Sequence, residues 1–428
     1  MTLMTAQDTL ARAIQRAGRE DATDLFLHLG VDAAQNVARR LDATDAAYPL
    51  DGAVVILKGN IDIEGLPTTA GTRTFQAQPA PGSAPLVDRI VAAGGVPLGH
   101  VNMSEYAYSG LGLNPHFGTP VNGLDADLVP GGSSSGCASA IALGIADLAV
   151  GSDTSGSTRV PAAYQGIYGY RPSMGRYDVT GVLPLAPSLD TPGPMAWDIA
   201  GIRALDAVLR KVATSGVAKP TRILIPDTDS LGPISPQIAA LLPQAQAVLE
   251  QAGHKVETAP VPVFSHVREL FVREGTLVAA EAPDVLSQFT ALDHPDLDPN
   301  VRRRIAQGMP FDPGKLALLQ TARAGFQCEM DNLLGDALML MPTVPAPPPA
   351  MSAIVADPDR FATENAKALS LTMLGAFLDL PSLAMPVAGR MPGQSLTLSA
   401  ATGRDDVLLQ VAEAIALALL NLETGVAA

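Results

Sequence analysis

The sequence is poor in cysteine, with only Cys137 and Cys328 among its 428 residues. Two cysteines cannot form the disulfide framework that stabilises many small secreted domains, so a reducing compartment is favoured. The N-terminal arginines Arg12, Arg16 and Arg19 are followed by acidic residues rather than by the apolar core of a signal peptide. We therefore expect a cytoplasmic protein.

Long apolar runs and positive charge are also missing. No stretch of 18 apolar residues occurs, so no membrane-spanning helix is expected. The formal net charge is −15, and a chain this acidic lacks the basic face that nucleic acid or an anionic membrane requires. The hydrophobic content of 47% is instead typical of a globular protein with a large core. These features argue against a nucleic-acid partner and against a membrane partner.

Lysine is scarce as well, and its distribution is informative. The chain has six lysines, and Lys58 is the only one before Lys211. Lys58 ends an apolar, β-branched run over residues 52–58 that predicts a central strand. A lysine at the end of a buried strand must be paired, uncharged or functional, unless its side chain extends to the surface.

What the sequence has in abundance is serine and glycine, concentrated in residues 128–161. Glycine and proline disfavour regular structure at residues 130–136, whereas residues 137–145 are small, apolar and compatible with a helix. Residues 148–150 then predict a short buried strand, and residues 152–157 form a second loop rich in hydroxyl groups. Two serine-rich loops joined by a helix and a strand are expected to converge on one site.

Elsewhere, helical and strand patterns alternate along the chain. Residues 1–42 read as helical and residues 182–194 as a proline-rich loop. Further strands are predicted at residues 97–101, 166–170, 221–225, 255–259 and 338–341 and near Ser382 and Leu396, and further helices at residues 86–93, 200–212, 236–252, 264–335, 365–378 and 407–420. This alternation predicts an α/β fold with a largely parallel or mixed sheet covered by helices.

Four kinds of chemistry could use the two loops, and three of them are poorly supported by the residues. His100 and His116 flank the predicted cleft, but neither lies in the turn expected of a histidine that activates a serine. The first loop lacks a Walker lysine and the spacing of a dinucleotide motif, and no cluster has metal-ligand spacing. Cys137 follows a glycine loop at a helix start, yet no histidine is close in sequence. No cofactor and no metal are therefore expected.

The remaining candidates are Lys58 and the serine loops, and here the sequence closely resembles the amidase signature family. The resemblance rests on PGGSSSGC at residues 130–137, GSDTSGSTRVPAA at 151–163, GYRPSMG at 169–175, SLDTPGPM at 188–195 and LKGNIDIEG at 57–65. It covers residues 50–200 strongly and is weaker at residues 341–345 and 380–386. The intervals of 75 residues from Lys58 to Ser133 and 24 from Ser133 to Ser157 also agree with the family.

The resemblance implies a fold and a set of catalytic residues. The fold would be a single domain over residues 1–428, an α/β/α sandwich with a twisted, mixed and largely parallel central sheet. Residues 1–48 would be N-terminal helices, 49–215 the signature core, and 216–428 the second half of the sheet with a variable helical region. In the implied Ser-cisSer-Lys triad, Ser157 attacks the amide carbonyl, Ser133 relays the proton after a cis peptide bond, and Lys58 is the terminal base. Burial in an apolar strand would lower the pKa of this lysine from about 10.4.

Further roles follow from the same resemblance. An oxyanion hole is expected from the backbone N–H groups of Thr154, Ser155, Gly156 and Ser157. Ser134, Asp153 and Arg159 are expected to support the loops, although Arg159 could instead bind a substrate carboxylate. The family commonly has glycine where this chain has Ser155, so this side chain is expected to alter the oxyanion loop or to narrow the pocket.

The function implied is that of an amidohydrolase cleaving the C–N bond of a small, non-peptide amide through a seryl acyl-enzyme. Two alternatives stay open: the amidase subunit of a tRNA-dependent amidotransferase, and a catalytically inactive relative that acts as a binding protein. Homodimers are common in the family, so a homodimer is a further expectation. Residues 100–127 and 264–320 are expected to shape the substrate pocket, but they do not name the substrate.

Overall fold

A large β-sheet runs through the computed structural model, which describes residues 4–210 and 222–422. Within these residues the sheet has eleven strands: β1 (Phe26–Leu29), β2 (Val54–Lys58), β3 (Val96–Val101), β4 (Leu148–Asp153), β5 (Tyr168–Arg171), β6 (Thr191–Ala196), β7 (Arg222–Pro226), β8 (Lys255–Ala259), β9 (Leu338–Pro342), β10 (Ser382–Pro386) and β11 (Ser395–Ser399). Their order across the sheet is β1-β3-β2-β4-β6-β5-β10-β11-β9-β7-β8.

The sheet is mixed, as predicted, but it is less parallel than expected. Parallel pairing is found where β2 lies between β3 and β4 and where β7 lies between β9 and β8. The other six pairings, which join β1 to β3 and run from β4 through β6, β5, β10 and β11 to β9, are antiparallel. Short loops connect several of these strands, and such loops cannot make the long crossover that parallel neighbours require.

Helices flank the sheet. In the described residues they are α1 (Ala6–Ala17), α2 (Val31–Asp42), α3 (Pro85–Ala92), α4 (Ser135–Ala142), α5 (Arg159–Tyr164), α6 (Ile199–Leu209), α7 (Thr228–Leu231), α8 (Pro236–Ala239), α9 (Leu241–Gln251), α10 (Pro262–Glu274), α11 (Leu277–Ser287), α12 (Pro299–Gln307), α13 (Pro313–Leu334), α14 (Met351–Val355), α15 (Pro358–Leu369), α16 (Thr372–Phe377) and α17 (Asp405–Leu419). Short 3₁₀ helices occur at Glu20–Ala22, Glu105–Ala107 and Ala388–Arg390. No helix of the described chain is long and apolar enough to cross a membrane.

The core lies on both faces of the sheet, and β2 shows how. Its alternate residues point to opposite faces. Val55 and Leu57 belong to the larger apolar cluster, whereas Val54 and Ile56 belong to a second cluster on the other side. Apolar layers on both faces are what the predicted sandwich of helices around a sheet requires. They also leave the strand end at Lys58 without contact with solvent.

Three sequence-based assignments need correction. Residues 1–42 are not helical throughout, because the edge strand β1 separates α1 from α2. The segment predicted as a loop over residues 182–194 contains most of β6, where prolines alternate with Gly193 and still fit an extended backbone. The long helical predictions are divided into shorter helices, with 236–252 split into α8 and α9 and 264–335 into α10 to α13. The predicted start of β7 at Thr221 and the end of helix 200–212 lie outside the described residues.

Candidate active site

Lys58 is the last residue of β2 and is completely buried. Because β2 pairs in parallel with β4, the carboxyl ends of both strands meet at one edge of the sheet. There the Nζ atom of Lys58 lies 2.6 Å from Ser133 Oγ, 2.8 Å from Ser152 Oγ and 3.3 Å from the Ser152 carbonyl oxygen. Burial lowers the pKa of Lys58 to about 8. The alternative of a lysine extending to the surface is thereby excluded.

Ser133 lies in the first serine-rich loop, directly before α4. The peptide bond between Gly132 and Ser133 is cis. The loop is held from below by backbone hydrogen bonds, because Ser104 N donates to Ser133 O over 3.1 Å and Gly132 N donates to Gly110 O over 2.8 Å. Ser133 has no exposed surface. Its hydroxyl group is therefore fixed against Lys58 by both the main chain and the packing.

Ser157 lies in the second serine-rich loop, which follows β4. The two loops are joined directly, because Ser134 N donates to Ser157 O over 3.1 Å. Ser134 Oγ also donates to the Ser152 carbonyl oxygen over 3.3 Å. The predicted convergence of the two loops is therefore observed, and it takes place around Lys58.

A buried ion pair between Asp153 and Arg159 holds the second loop in shape. Arg159 Nη2 lies 3.0 Å from Asp153 Oδ1, and Arg159 Nε donates to Oδ2 over 3.0 Å. Thr158 donates to the same carboxylate from its backbone and its hydroxyl. Burial alone would raise the pKa of Asp153, but the guanidinium of Arg159 outweighs it and holds that pKa well below its usual range. The carboxylate is thus ionised and serves as the hub of the loop.

The backbone N–H groups of this loop are not equivalent. Gly156 N donates to Asp153 Oδ1 over 2.7 Å and is therefore already engaged. In contrast, the N–H groups of Ser155 and Ser157 find no acceptor in the described part of the chain. Gly156 has a φ of +139°, and a Cβ there would clash with Thr372 Oγ1. Only glycine fits this turn, which directs the neighbouring N–H groups.

Two cavities lie on either side of the second loop. The first cavity, of about 280 Å³, is lined by Ser152 and Thr154 and by an apolar wall that includes Ala107. The second cavity, of about 210 Å³, is lined by Ser155 and by Tyr108. The same two chain segments, residues 107–108 and 152–155, thus contribute to both. A bound molecule at the loop could extend into either space.

Asp190 lines the first cavity. Burial raises the pKa of its carboxyl group to about 6, although hydrogen bonds from Thr154 Oγ1 and from the backbone of Leu185 and Ala186 oppose the rise. These bonds span 2.5 to 2.9 Å. The carboxylate therefore holds Thr154 and the cavity wall together.

The rejected candidates for catalysis lie in structural positions. His100 is buried and bonds to the Ile61 carbonyl oxygen over 2.6 Å, while His116 bonds to Glu105 over 2.9 Å. Cys137 is buried too, and burial raises the pKa of its thiol to about 12, which keeps it protonated. Among residues 4–210 and 222–422 no cluster of histidine, cysteine and carboxylate side chains is placed to hold a metal ion.

Several residues of the site escape sequence reasoning. Ser152 contacts Lys58 twice, and Asn60 Nδ2 donates to Ser152 Oγ over 3.3 Å. Ser152 stands within the second serine-rich loop, so its proximity could have been anticipated. Thr372 donates to the Ser155 carbonyl oxygen over 2.7 Å from a position 217 residues away. No local signal in the sequence marks such a contact.

Comparison with known proteins now supplies the family. The family model described as Amidase matches residues 8–409. This chain belongs to the amidase family. The fold and the family resemblance drawn from the signature segments are therefore confirmed, and the amidase is a hydrolase of amide C–N bonds.

Named relatives match the amidase over most of its length. Amidase 1 of Oryza sativa subsp. japonica is 32% identical, over 88% of this chain and 92% of the relative. The 2-amino-5-chloromuconic acid deaminase of Comamonas testosteroni is 34% identical, over 84% of this chain and 80% of the relative. A subunit of the glutamyl-tRNA(Gln) amidotransferase of Symbiobacterium thermophilum is also 34% identical, but only over 66% of this chain and 62% of the relative.

Solved structures agree with the family assignment. A crystal structure of an amidase superposes with a TM-score of 0.85 at 27% identity and covers 97% of this chain and 96% of that one. The 6-aminohexanoate cyclic dimer hydrolase bound to its substrate has the same TM-score, covering 97% of this chain and 94% of that one, at 19% identity. At that identity the second likeness concerns the fold alone.

Proposed function

We propose that this amidase is a serine amidohydrolase that cleaves a small amide through an acyl-enzyme on Ser157. The observation that carries the proposal is the 2.6 Å contact between Lys58 Nζ and Ser133 Oγ, formed in a fully buried environment. The loop that contains Ser157 is bonded directly to the loop that contains Ser133. A base, a relay and a nucleophile can thus act in sequence.

The surroundings of Lys58 suit a neutral amine that accepts a proton. An uncharged lysine amine has two N–H groups and one lone pair. The two oxygens of Ser152 lie where they can accept the two N–H groups, and the lone pair is then left for the hydroxyl of Ser133. With a pKa of about 8, a useful fraction of the amine is neutral near pH 7. Ser152 is accordingly proposed to orient the base.

The proposed reaction has two halves. Ser157 Oγ attacks the amide carbonyl carbon while its proton passes to Ser133, whose own proton passes to Lys58. The C–N bond then breaks, and the proton returns through Ser133 to the leaving nitrogen, which departs as ammonia or an amine. Water attacks the resulting ester by the same route in reverse, releasing a carboxylic acid and restoring Ser157.

The negative charge on the substrate oxygen is proposed to be stabilised by backbone N–H groups of Thr154, Ser155 and Ser157. Gly156 is left out of this donor set because its N–H donates to Asp153. Its proposed role is to permit the turn. Each donor to such an oxyanion contributes about 3 kcal/mol to lowering the barrier.

Ser134, Asp153 and Arg159 are proposed as supporting residues. Arg159 has no exposed surface and uses its guanidinium on Asp153 and on the Thr372 carbonyl oxygen at 3.0 Å. An arginine committed in this way favours loop support over binding of a substrate carboxylate. Ser134 joins the two serine loops through its backbone and side chain.

Two other functions remain to be tested against this one. The amidotransferase hypothesis has support in the partial match to the glutamyl-tRNA(Gln) amidotransferase of Symbiobacterium thermophilum, and it would require a partner protein. The hypothesis of an inactive binding protein is opposed by the presence of Lys58, Ser133 and Ser157 in one contact network.

A single assay separates the three functions. The purified chain, without any partner, is incubated with a panel of small carboxamides and ureas, and ammonia release is measured. We expect turnover by the wild-type chain and none by Ser157→Ala. Efficient hydrolysis by the isolated chain excludes an obligatory amidotransferase component. Wild-type rates in Ser157→Ala would overturn the proposed mechanism.

A further inference from the structure

The second cavity has an unusual charge for this protein. Its wall includes Arg303 and Arg304 of α12, and the residues that line it include no aspartate or glutamate. The chain as a whole has a formal net charge of −15, so an arginine-lined cavity without acidic side chains stands apart from the rest of the molecule. Because Ser155 also lines this cavity, it opens beside the proposed oxyanion loop.

The two arginines differ in how their charges are balanced. Arg303 pairs with Asp359 over 2.7 Å. Arg304 lies with its guanidinium carbon 4.4 Å from the centre of the Tyr108 ring and forms no ion pair with any residue that the structure describes. A guanidinium over an aromatic face is held in place but not neutralised. Arg304 therefore offers a fixed, uncompensated positive charge to the cavity.

A buried amide group faces the same space. Asn365 is only 2% exposed, and its Oδ1 atom accepts hydrogen bonds from Gly110 N over 2.7 Å and from Ser109 Oγ over 3.2 Å. These bonds fix the orientation of the amide. Its Nδ2 group donates to no residue of the described chain, so a donor in the cavity wall lacks an acceptor.

The position of α12 relative to the catalytic loops is also fixed. Glu105 Oε2 accepts a hydrogen bond from the backbone N of Asp298, the residue that caps the start of α12, over 2.8 Å. Glu105 is fully buried and lies only three residues from Tyr108. The helix that carries Arg304 is thus anchored to the same segment that borders both cavities.

We propose that the second cavity binds a carboxylate group of the substrate, with Arg304 as its main partner and Asn365 as an additional hydrogen-bond donor. This inference rests on the proposed function and specifies its substrate class as amides that bear a carboxylate at the far end of the acyl or amine portion. A guanidinium and an amide donor are suitable partners for a carboxylate oxygen. The first cavity is unsuited to this group, because its wall is apolar and contains Asp190.

The proposal is tested by ligand binding to Ser157→Ala, which removes turnover from the measurement. The probes are the half-amides of glutaric, adipic and pimelic acids, each compared by calorimetry with its diamide, which has the same shape but no charge. We expect at least one half-amide to bind at least tenfold more tightly than its diamide. If every diamide binds as tightly as its half-amide, the proposal is overturned.

The role of Arg304 is tested by adding Arg304→Gln to the Ser157→Ala protein. The preference for the half-amide should fall to less than threefold. The matched control is Arg273→Gln, which removes an exposed arginine that pairs with the adjacent Glu274 and lines neither cavity. It should leave the preference unchanged. An undiminished preference in the Arg304→Gln protein would overturn the assignment.

Failure of this inference and failure of the proposed function have different signatures. If the wild-type chain hydrolyses neutral and acidic amides equally well, the carboxylate site is wrong while the amidohydrolase survives. If half-amides bind in the expected way but the wild-type chain releases no ammonia from any amide, the carboxylate site stands and the proposed function is contradicted.

Discussion

Lys58 Nζ lies 2.6 Å from Ser133 Oγ, although 75 residues separate them in the chain. The contact exists because parallel strands β2 and β4 end at the same edge of the sheet, and the loop before α4 crosses that edge. Burial of this contact lowers the pKa of the lysine to about 8. The proposed proton transfer depends on that shift, and several consequences can be measured.

The first prediction concerns pH. Only the neutral amine of Lys58 can accept a proton, so activity should increase as the pH rises through the pKa of about 8 and then level off. Below this value kcat/KM should fall about tenfold for each pH unit. Steady-state rates between about pH 6 and about pH 9.5, with the folded state checked by circular dichroism, provide the measurement. A flat profile would show that Lys58 is not the base.

The second prediction concerns Ser152, the residue proposed to orient Lys58. Ser152→Ala removes the hydroxyl 2.8 Å from Nζ but leaves the carbonyl oxygen in place. We expect kcat to fall about tenfold with little change in KM, because the amine is less well aligned in the transition state. Ser265→Ala on the exposed face of α10 is the control and should keep the wild-type rate. An equal loss in KM would indicate a substrate-binding role instead.

The third prediction concerns the buried ion pair between Asp153 and Arg159. Asp153→Asn keeps the shape of the side chain but leaves the guanidinium of Arg159 without its counter-charge, which should cost about 3 to 5 kcal/mol in the free energy of unfolding. The control is Glu413→Gln, which removes the partner of the exposed Arg203 and should cost less than about 1 kcal/mol. Urea titration of both variants measures the difference. Equal stabilities would contradict a structural role for the buried pair.

The fourth prediction concerns Gly156. A methyl group there would clash with Thr372 Oγ1, and the backbone has a φ of +139°. Gly156→Ala should therefore displace the loop and reduce kcat/KM about a hundredfold. Gly325→Ala is the control, because nothing lies within 4 Å of a Cβ at this position on α13. That variant should retain full activity, and wild-type activity in Gly156→Ala would show that the loop tolerates displacement.

Much of the site could be predicted because its sequence pattern is local. The isolated Lys58 at the end of an apolar run indicated a buried functional amine, and glycine and serine marked the two loops. The signature segments supplied the pairing between them. In contrast, the role of Gly156 N could not be predicted, because its hydrogen bond to Asp153 depends on a turn geometry that the residue types do not specify.

The less predictable parts depend on distant contacts or on ambiguous residues. The prolines of β6 suggested a loop, but β5 pairs with this strand only at Met195 and Ala196, beyond the prolines. The contact of Thr372 with Ser155 joins positions 217 residues apart. The stacking of Arg304 on Tyr108 likewise requires the helix anchor formed by Glu105. Such pairings are decided by tertiary packing.

The most direct test of the central claim is to identify the residue that becomes covalently modified. The wild-type chain is incubated with a fluorophosphonate probe and digested, and the labelled peptide is located by mass spectrometry. We predict a single adduct on Ser157 that forms much more slowly in Lys58→Ala, because the base that activates the serine is then absent. An adduct on another residue, or labelling of Ser157 at the same rate without Lys58, would contradict the proposed triad.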